Sequence, residues 1–220
     1  MREVHRVRDT LQRGVLVVIG LLLLLAGPAA AATITLNAPS ITDLLGASYQ
    51  TAGSQLITVV DEGNLRATIY SQAFTGDAGT YAYLWQVRNT GGSGNSSVEM
   101  YTVWPFADAT SESNVGYLTG TVPVGFLAGG YIPEPDGYIE SVGSGAEVSF
   151  YYTKREGRQI PTGGHSYVMY VVSDLPPSTI SGNVIDGSVG SGDVVGPVPE
   201  PATLGLLALG GLGLLRRRRS

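Results

Sequence analysis

Few residues in this chain can exchange protons, attack a substrate or hold a metal. Between Thr33 and Val198 there is one histidine, His165, in the stretch Pro161-Thr-Gly-Gly-His-Ser-Tyr167, and the whole chain has no cysteine. Thiolate catalysis and cysteine zinc sites are therefore excluded. A serine triad would have to use His165, and no Gly-x-Ser-x-Gly elbow accompanies it. A histidine at a loop–strand junction reads better as a solvated loop residue. Neither a glycine-rich phosphate loop with its lysine nor an HExxH spacing occurs. Asp61, Glu62 and Asn64 offer oxygens that suit calcium, but a hairpin turn needs the same residue types. Glu134 and Asp136, with Glu140 nearby, offer carboxyls of the type a glycoside hydrolase uses as a pair. That chemistry requires two carboxyls held about 5–9 Å apart across a cleft, and a solvated acidic loop is the simpler reading. No catalytic, cofactor-binding or metal residue is nominated, and the expectation is a protein that is not an enzyme and carries no cofactor.

Aromatic rings are the remaining candidates. Trp85, Trp104 and many tyrosines can stack on sugar faces if exposed, or fill a core if buried. The core reading is preferred, and a secreted carbohydrate-binding module is the runner-up. The sequon Asn95-Ser96-Ser97 falls in an expected loop.

The most informative stretch is the last one. Pro199-Glu200-Pro201 is followed by an apolar run of 14 residues, Ala202 to Leu215, and then by Arg216, Arg217, Arg218 and Arg219. As a helix the run would be roughly 21 Å long, against about 30 Å of hydrocarbon in a bilayer. It is able to insert but is short for a permanent span, and Gly205, Gly210, Gly211 and Gly213 weaken its helix. The arginines are costly to translocate and belong on the cytoplasmic side. The prolines lack amide protons and keep the preceding chain out of a helix.

The order Val198-Pro-Glu-Pro-Ala-Thr, glycine-rich apolar run, terminal arginine cluster closely resembles the PEP-CTERM sorting signal of exported proteins of Gram-negative bacteria. The resemblance covers about the last tenth of the chain. It implies recognition and cleavage by an exosortase, a membrane-embedded cysteine protease or transpeptidase. It also implies delivery to the cell surface or extracellular matrix after transient anchoring in the inner membrane, with exopolysaccharide as a further partner. The logic matches lipid-anchor signals, whose apolar tail is removed. Ile132-Pro133-Glu134-Pro135-Asp136 repeats the letters without the apolar run or arginines, so it is not expected to sort.

The other end is consistent with export. Arg2, Arg6, Arg8 and Arg13 precede the apolar stretch Val15 to Leu25; Gly27-Pro28 breaks it, and Ala29 to Ala32 are small. Residues 1–32 therefore read as a signal peptide cut after Ala32, with Ala30 and Ala32 as the small residues at the site. Arginines at both termini stay inside, which places everything between them outside. The region 33–198 holds five basic and 15 acidic residues, a net of about −10. That balance argues against nucleic acid as a partner and suits a surface protein kept apart by self-repulsion.

Residues 33–186 must build the folded domain. Apolar and polar residues alternate at period two, the mark of half-buried strands. Expected strands include Leu56–Val60 and Leu65–Tyr70 around the turn Asp61-Glu62-Gly63-Asn64. Thr80–Asn89 is expected to place Tyr81, Tyr83, Trp85 and Val87 on one face, with Val98–Trp104 as its antiparallel partner. Further strands are expected within Gly116–Phe126, at Glu147–Thr153 with Val148, Phe150 and Tyr152 on one face, at Ser166–Ser173, and weakly at Ile180–Ile185. Asp43–Ser48 allows one helical turn, and Leu127–Gly137 reads as a loop. Residues 187–198, rich in Gly and Ser, read as a linker to the sorting signal at 199–220. About eight strands suggest an all-β antiparallel sandwich or jelly roll, flanked by a signal helix and a short C-terminal apolar helix. The order Thr80-Tyr-x-Tyr-x-Trp-Gln-Val-x-Asn-Thr90 also resembles, more loosely, the body of other exosortase-sorted proteins.

Overall fold

The computed structural model describes residues 31–76, 79–91, 96–106, 115–134, 136–142, 145–152, 157 and 159–197. Twelve strands and one short helix are found there. In chain order they are β1 (Ala31–Thr35), α1 (Ile41–Leu45), β2 (Gln50–Thr51), β3 (Leu56–Glu62), β4 (Leu65–Thr75), β5 (Tyr81–Asn89) and β6 (Met100–Phe106). They continue with β7 (Val115–Tyr117), β8 (Asp136–Val142), β9 (Gly145–Tyr151), β10 (Met169–Ser173), β11 (Pro177–Ile185) and β12 (Val189–Pro197). One antiparallel sheet has the order β1-β8-β9-β6-β11-β12; the other runs β2-β4-β5-β10-β7, with β3 also on β4. The expected signal helix and C-terminal helix fall outside the described residues. Among the described residues no helix is long and apolar enough to cross a membrane.

Local chemistry accounts for the elements that were legible. Glu62 pairs with Leu65, so Gly63 and Asn64 make a two-residue hairpin loop, and Gly63 takes φ +60°. That conformation is available to glycine at little cost and matches the twist of the hairpin. α1 starts at Ser40, whose hydroxyl accepts the Asp43 N–H at 3.2 Å and donates to Asp43 Oδ2 at 2.6 Å. The Ser40 hydroxyl and backbone bonds hold the Asp43 carboxyl below the usual carboxylate range.

Period-two burial defines the core. Tyr83, Trp85 and Val87 of β5, Val148 and Phe150 of β9, Tyr152, and Met169 and Val171 of β10 join one cluster with Tyr101, Val103, Val184 and Val194. Those residues come from both sheets, so the two sheets pack face to face over a common core. The other faces of β5 and β10 are also covered. Ala82, Leu84, Val168 and Tyr170 pack with Ile41 and Leu45 of α1 and with Leu118 and Phe126. Fully burying each large apolar side chain contributes very roughly 1.5–3 kcal/mol, and β5 gains on both sides.

The structure differs from expectation in three places. First, β6 is not the partner of β5. β5 lies between β4 and β10, whereas β6 lies in the opposite sheet between β9 and β11. The side of β5 away from β4 is taken by β10, and buried Asn89 holds the chain where it leaves β5. Its Nδ2 donates to the carbonyls of Ser96 at 2.7 Å and Ile160 at 2.9 Å, and its Oδ1 accepts the Gly91 N–H at 2.9 Å. Pro105 sits where the β6–β9 register shifts between Val103 and Phe106, a bulge that tolerates a missing amide. Second, the stretch 127–137 read as a loop runs into β8 at Asp136.

Third, and with most consequence, residues 187–198 are not a linker. β12 pairs with β11 over nine residues, from Val189 with Ile185 to Pro197 with Pro177. Its glycines recur at period two. An added Cβ on Gly190 would overlap Val60, one on Gly192 would overlap Thr58, and one on Gly196 would overlap Ile180. The composition that imitates a flexible linker is therefore a strand with bare positions on its inner face, which let it lie close against β3. Substituting Gly192→Val is expected to overpack that contact and destabilise the domain by about 1–3 kcal/mol. Ser191→Val, on the exposed face, should change stability by less than about 0.5 kcal/mol. Chemical denaturation of both variants checks this, since in a linker the two changes would be equally silent.

Candidate functional site

The residues expected to carry the sorting function lie outside the described residues. These are Pro199, Glu200, Pro201, Arg216, Arg217, Arg218 and Arg219, together with Ala30 of the signal-peptidase site. Ala32 is described as backbone, in β1, paired with Ile139 of β8. The structure does describe the end of the domain from which the sorting segment departs, and that end is built around β12.

β12 is the last strand of its sheet, so its outer backbone edge would be unpaired. Side chains of the facing sheet occupy it. Thr58 of β3 donates its hydroxyl to the Asp193 carbonyl. Ser71 of β4 accepts the Val195 N–H at 3.0 Å, and Trp85 of β5 donates its indole N–H to the Val195 carbonyl at 2.9 Å. Trp85 is fully buried, and its ring stacks on Tyr83 with centroids 6.4 Å apart and lies 6.5 Å from Tyr101. A buried indole needs a partner for its N–H, and here that partner is the strand leading out of the domain. Trp85 is thereby a core residue and presents no face to a sugar. Trp104, on β6, is 38 % exposed.

The buried tyrosines surround this anchor. Tyr83 donates to the Leu175 carbonyl, at 2.5 Å, in the connection between β10 and β11. Tyr152 bonds the Met169 sulfur at 3.0 Å. Tyr101 has a buried hydroxyl with no hydrogen-bond partner. Burial, with smaller contributions from neighbouring phenols, pushes Tyr83 and Tyr101 well above the ordinary range. Burial likewise raises Tyr152, and it pushes Tyr170 up to about 12.

The chemistry-bearing residues noted in the sequence are not brought together. His165 is half-buried beside β5, its Nδ1 3.3 Å from Gln86 Nε2 and 3.0 Å from the Ser166 carbonyl. Asp61 makes an exposed ion pair with Arg66 at 3.5 Å across the hairpin. Glu134 precedes β8 and donates its backbone N–H to the Tyr151 carbonyl at 2.8 Å. Asp136 and Glu140 lie within β8, where Glu140 pairs with Ala31 and Glu147. Among the described residues no group of three or more His, Asp or Glu side chains is placed to hold a metal ion.

Comparison with known families supplies the remaining finding. Residues 197–219 match the PEP-CTERM protein-sorting motif. No curated protein and no solved structure matches the chain. The motif implies export and processing by an exosortase, and its first residue, Pro197, is the last residue of β12. Sequence reasoning missed β12 because glycine at alternate positions carries no hydrophobic signal. The alternation of glycine itself, at 190, 192 and 196, was the available clue.

Three outcomes follow from this anchor. Trp85→Phe leaves the Val195 carbonyl without its donor and should cost about 2–3 kcal/mol in equilibrium unfolding. Tyr101→Phe removes an unpartnered buried hydroxyl and should be neutral or stabilising by up to about 1 kcal/mol. The buried phenols also set an alkaline limit. Unfolded tyrosine ionises near pH 10, while these folded ones hold their protons to higher pH. Their contribution is full below about pH 10 and is lost as pH rises above it, because only the unfolded chain has then released protons. The phenolate absorbance of these four of the chain's 12 tyrosines should therefore appear only together with loss of near-ultraviolet circular dichroism; absorbance corresponding to all 12 phenolates before that loss would contradict it.

Proposed function

We propose that the chain is a non-enzymatic cargo domain for the bacterial cell surface or extracellular matrix, whose C-terminal segment is removed by an exosortase. The observation that carries the reading is the position of the sorting motif. It begins at Pro197, where the last strand of the sheet ends. Every strand of the described domain therefore lies upstream of Val198, and cleavage within Pro199-Glu200-Pro201 or beyond leaves the whole sheet intact.

In this reading each part of the segment has a separate task. Pro199, Glu200 and Pro201 offer an extended backbone and one charge for recognition. Ala202 to Leu215 insert in the inner membrane and hold that site there, and the four arginines stop transfer. The signal peptide opens export and is removed near Ala32, which shortens β1 by its first two residues, Ala31 and Ala32. The net charge of about −10 between Thr33 and Val198 suits a protein that remains dispersed outside the cell. A sugar-binding role for this domain would rest on Trp104 rather than on Trp85.

Deleting Arg216–Ser220 is expected to abolish retention at the inner membrane and reduce C-terminal processing. Unchanged processing and surface delivery would count against the stop-transfer role. Intact-mass measurement of the protein collected outside the producing cell should show both ends shortened, with the C-terminal end at or after Val198.

A further inference from the structure

The order and direction of the strands place both ends of the domain on one side. All six strands of the sheet β1-β8-β9-β6-β11-β12 pair antiparallel. Counting across it, β1 and β12 therefore run in opposite directions. The chain enters the sheet at the same end at which it leaves, on opposite edges. Ala31 stands level with Glu140 and Glu147 and, across β6 and β11, with about Asp193, four rows inside Pro197. Five strand-to-strand spacings separate the two edges, about 24 Å along the sheet.

Both connections from that end to an apolar segment are short. Residues 198–201 join Pro197 to the apolar run at Ala202, a reach of at most about 14 Å. Residues 26–30 join the apolar stretch ending at Leu25 to Ala31, at most about 18 Å. Pro197 itself cannot move outward freely, because its strand is held by β11 and by Ser71 and Trp85.

We propose that this end of the sandwich is the surface the unprocessed chain presents to the bilayer, with the strands standing away from the membrane. The surface comprises the end of β12, the turn between β4 and β5, and the β10–β11 connection at Asp174–Pro176, with the start of β1 about four rows, roughly 13 Å, farther from the bilayer. The turn and the connection belong to it because Ser173 pairs with Tyr81, and Tyr81 with Thr75. The inference rests on the sorting reading and adds an orientation to it. Charge does not produce the orientation. Among the described residues the two arginines, Arg66 near the start of β4 and Arg88 near the end of β5, lie at the opposite end, while exposed Asp174 lies at this one. The apolar segments alone hold this end down, so once the signal peptide has been cut away, removing the C-terminal one frees the domain.

The chain has no cysteine, so single thiols report position directly. Asp174→Cys marks the proposed membrane end and Glu62→Cys the far end; both positions are exposed. They stand about 35 Å apart along the 11-residue β4, since Glu62 is level with Leu65 and Asp174 follows Ser173, level with Thr75. Each full-length variant is labelled with a fluorophore in inner-membrane vesicles from cells lacking the exosortase, where a quencher is attached to lipid headgroups. Quenching at position 174 should exceed that at position 62 by at least about fivefold, given the short range of contact quenching beside that separation. Deleting residues 199–220 should abolish it at both. Equal quenching at the two positions, or stronger quenching at 62, would overturn the orientation while leaving the sorting reading in place. A full-length chain that fails to associate with the vesicles would overturn both.

Discussion

The contact on which the rest of this structure depends is the capture of an edge strand by the opposite sheet. β12 would otherwise offer a row of bare amides and carbonyls to any neighbouring chain. Instead Ser71 and Trp85 take the N–H and the carbonyl of Val195, and Thr58 takes the carbonyl of Asp193. One set of side chains thus satisfies the indole of the largest core residue, seals the edge and ties the two sheets together. The glycines facing β3 make the approach possible, because a side chain there would hold the sheets apart.

That arrangement separates the cargo from its address within a single residue. Pro197 closes the strand and opens the sorting motif. A protease that reads an extended chain gains no access to paired backbone, so the ladder protects the domain up to that point. In the proposed reading the same tight boundary limits how far the domain can stand from the membrane, because few residues remain to span the gap. If the cut falls just beyond Pro197, as proposed, stability of the domain and accessibility of the cut place opposite requirements on neighbouring residues: pairing for the one and an open chain for the other.

The aromatic content serves the interior. Tyr83, Trp85, Tyr101 and Tyr152 fill the space between the sheets, while Tyr170 closes the second cluster beneath α1. Two-sided burial explains why β5 and β10 are apolar on both faces, a pattern more usual for strands covered on both sides than for an open sandwich. Apart from the Tyr101 hydroxyl, the buried polar side chains named here have hydrogen-bond partners. Gln86 donates to the carbonyls of Leu127 at 2.8 Å and Ser166 at 2.9 Å, and accepts the Leu127 N–H at 2.9 Å. Asn89 holds the chain where it leaves β5. Such buried groups fix one topology, because each alternative pairing would leave one of them without a partner.

Sequence alone determined the all-β class, the 63–64 hairpin, the inward faces of β5 and β9, and the three-part terminal signal. Each of these is written in local information: a period of two, a turn that needs glycine, or a contiguous run of apolar and basic residues. Tertiary structure decided the partner of β5, the strand at 189–197 and the fate of Trp85. Strand pairing across sheets depends on contacts distant in the chain, and Asn89 holds the chain leaving β5 through Ile160, 71 residues away. β12 carries glycine where a core strand normally carries valine, and only the surfaces of Val60 and Thr58 opposite reveal why. An indole reads the same in a sequence whether it faces water or a carbonyl, and the 110 residues between Trp85 and Val195 had to fold before that was settled.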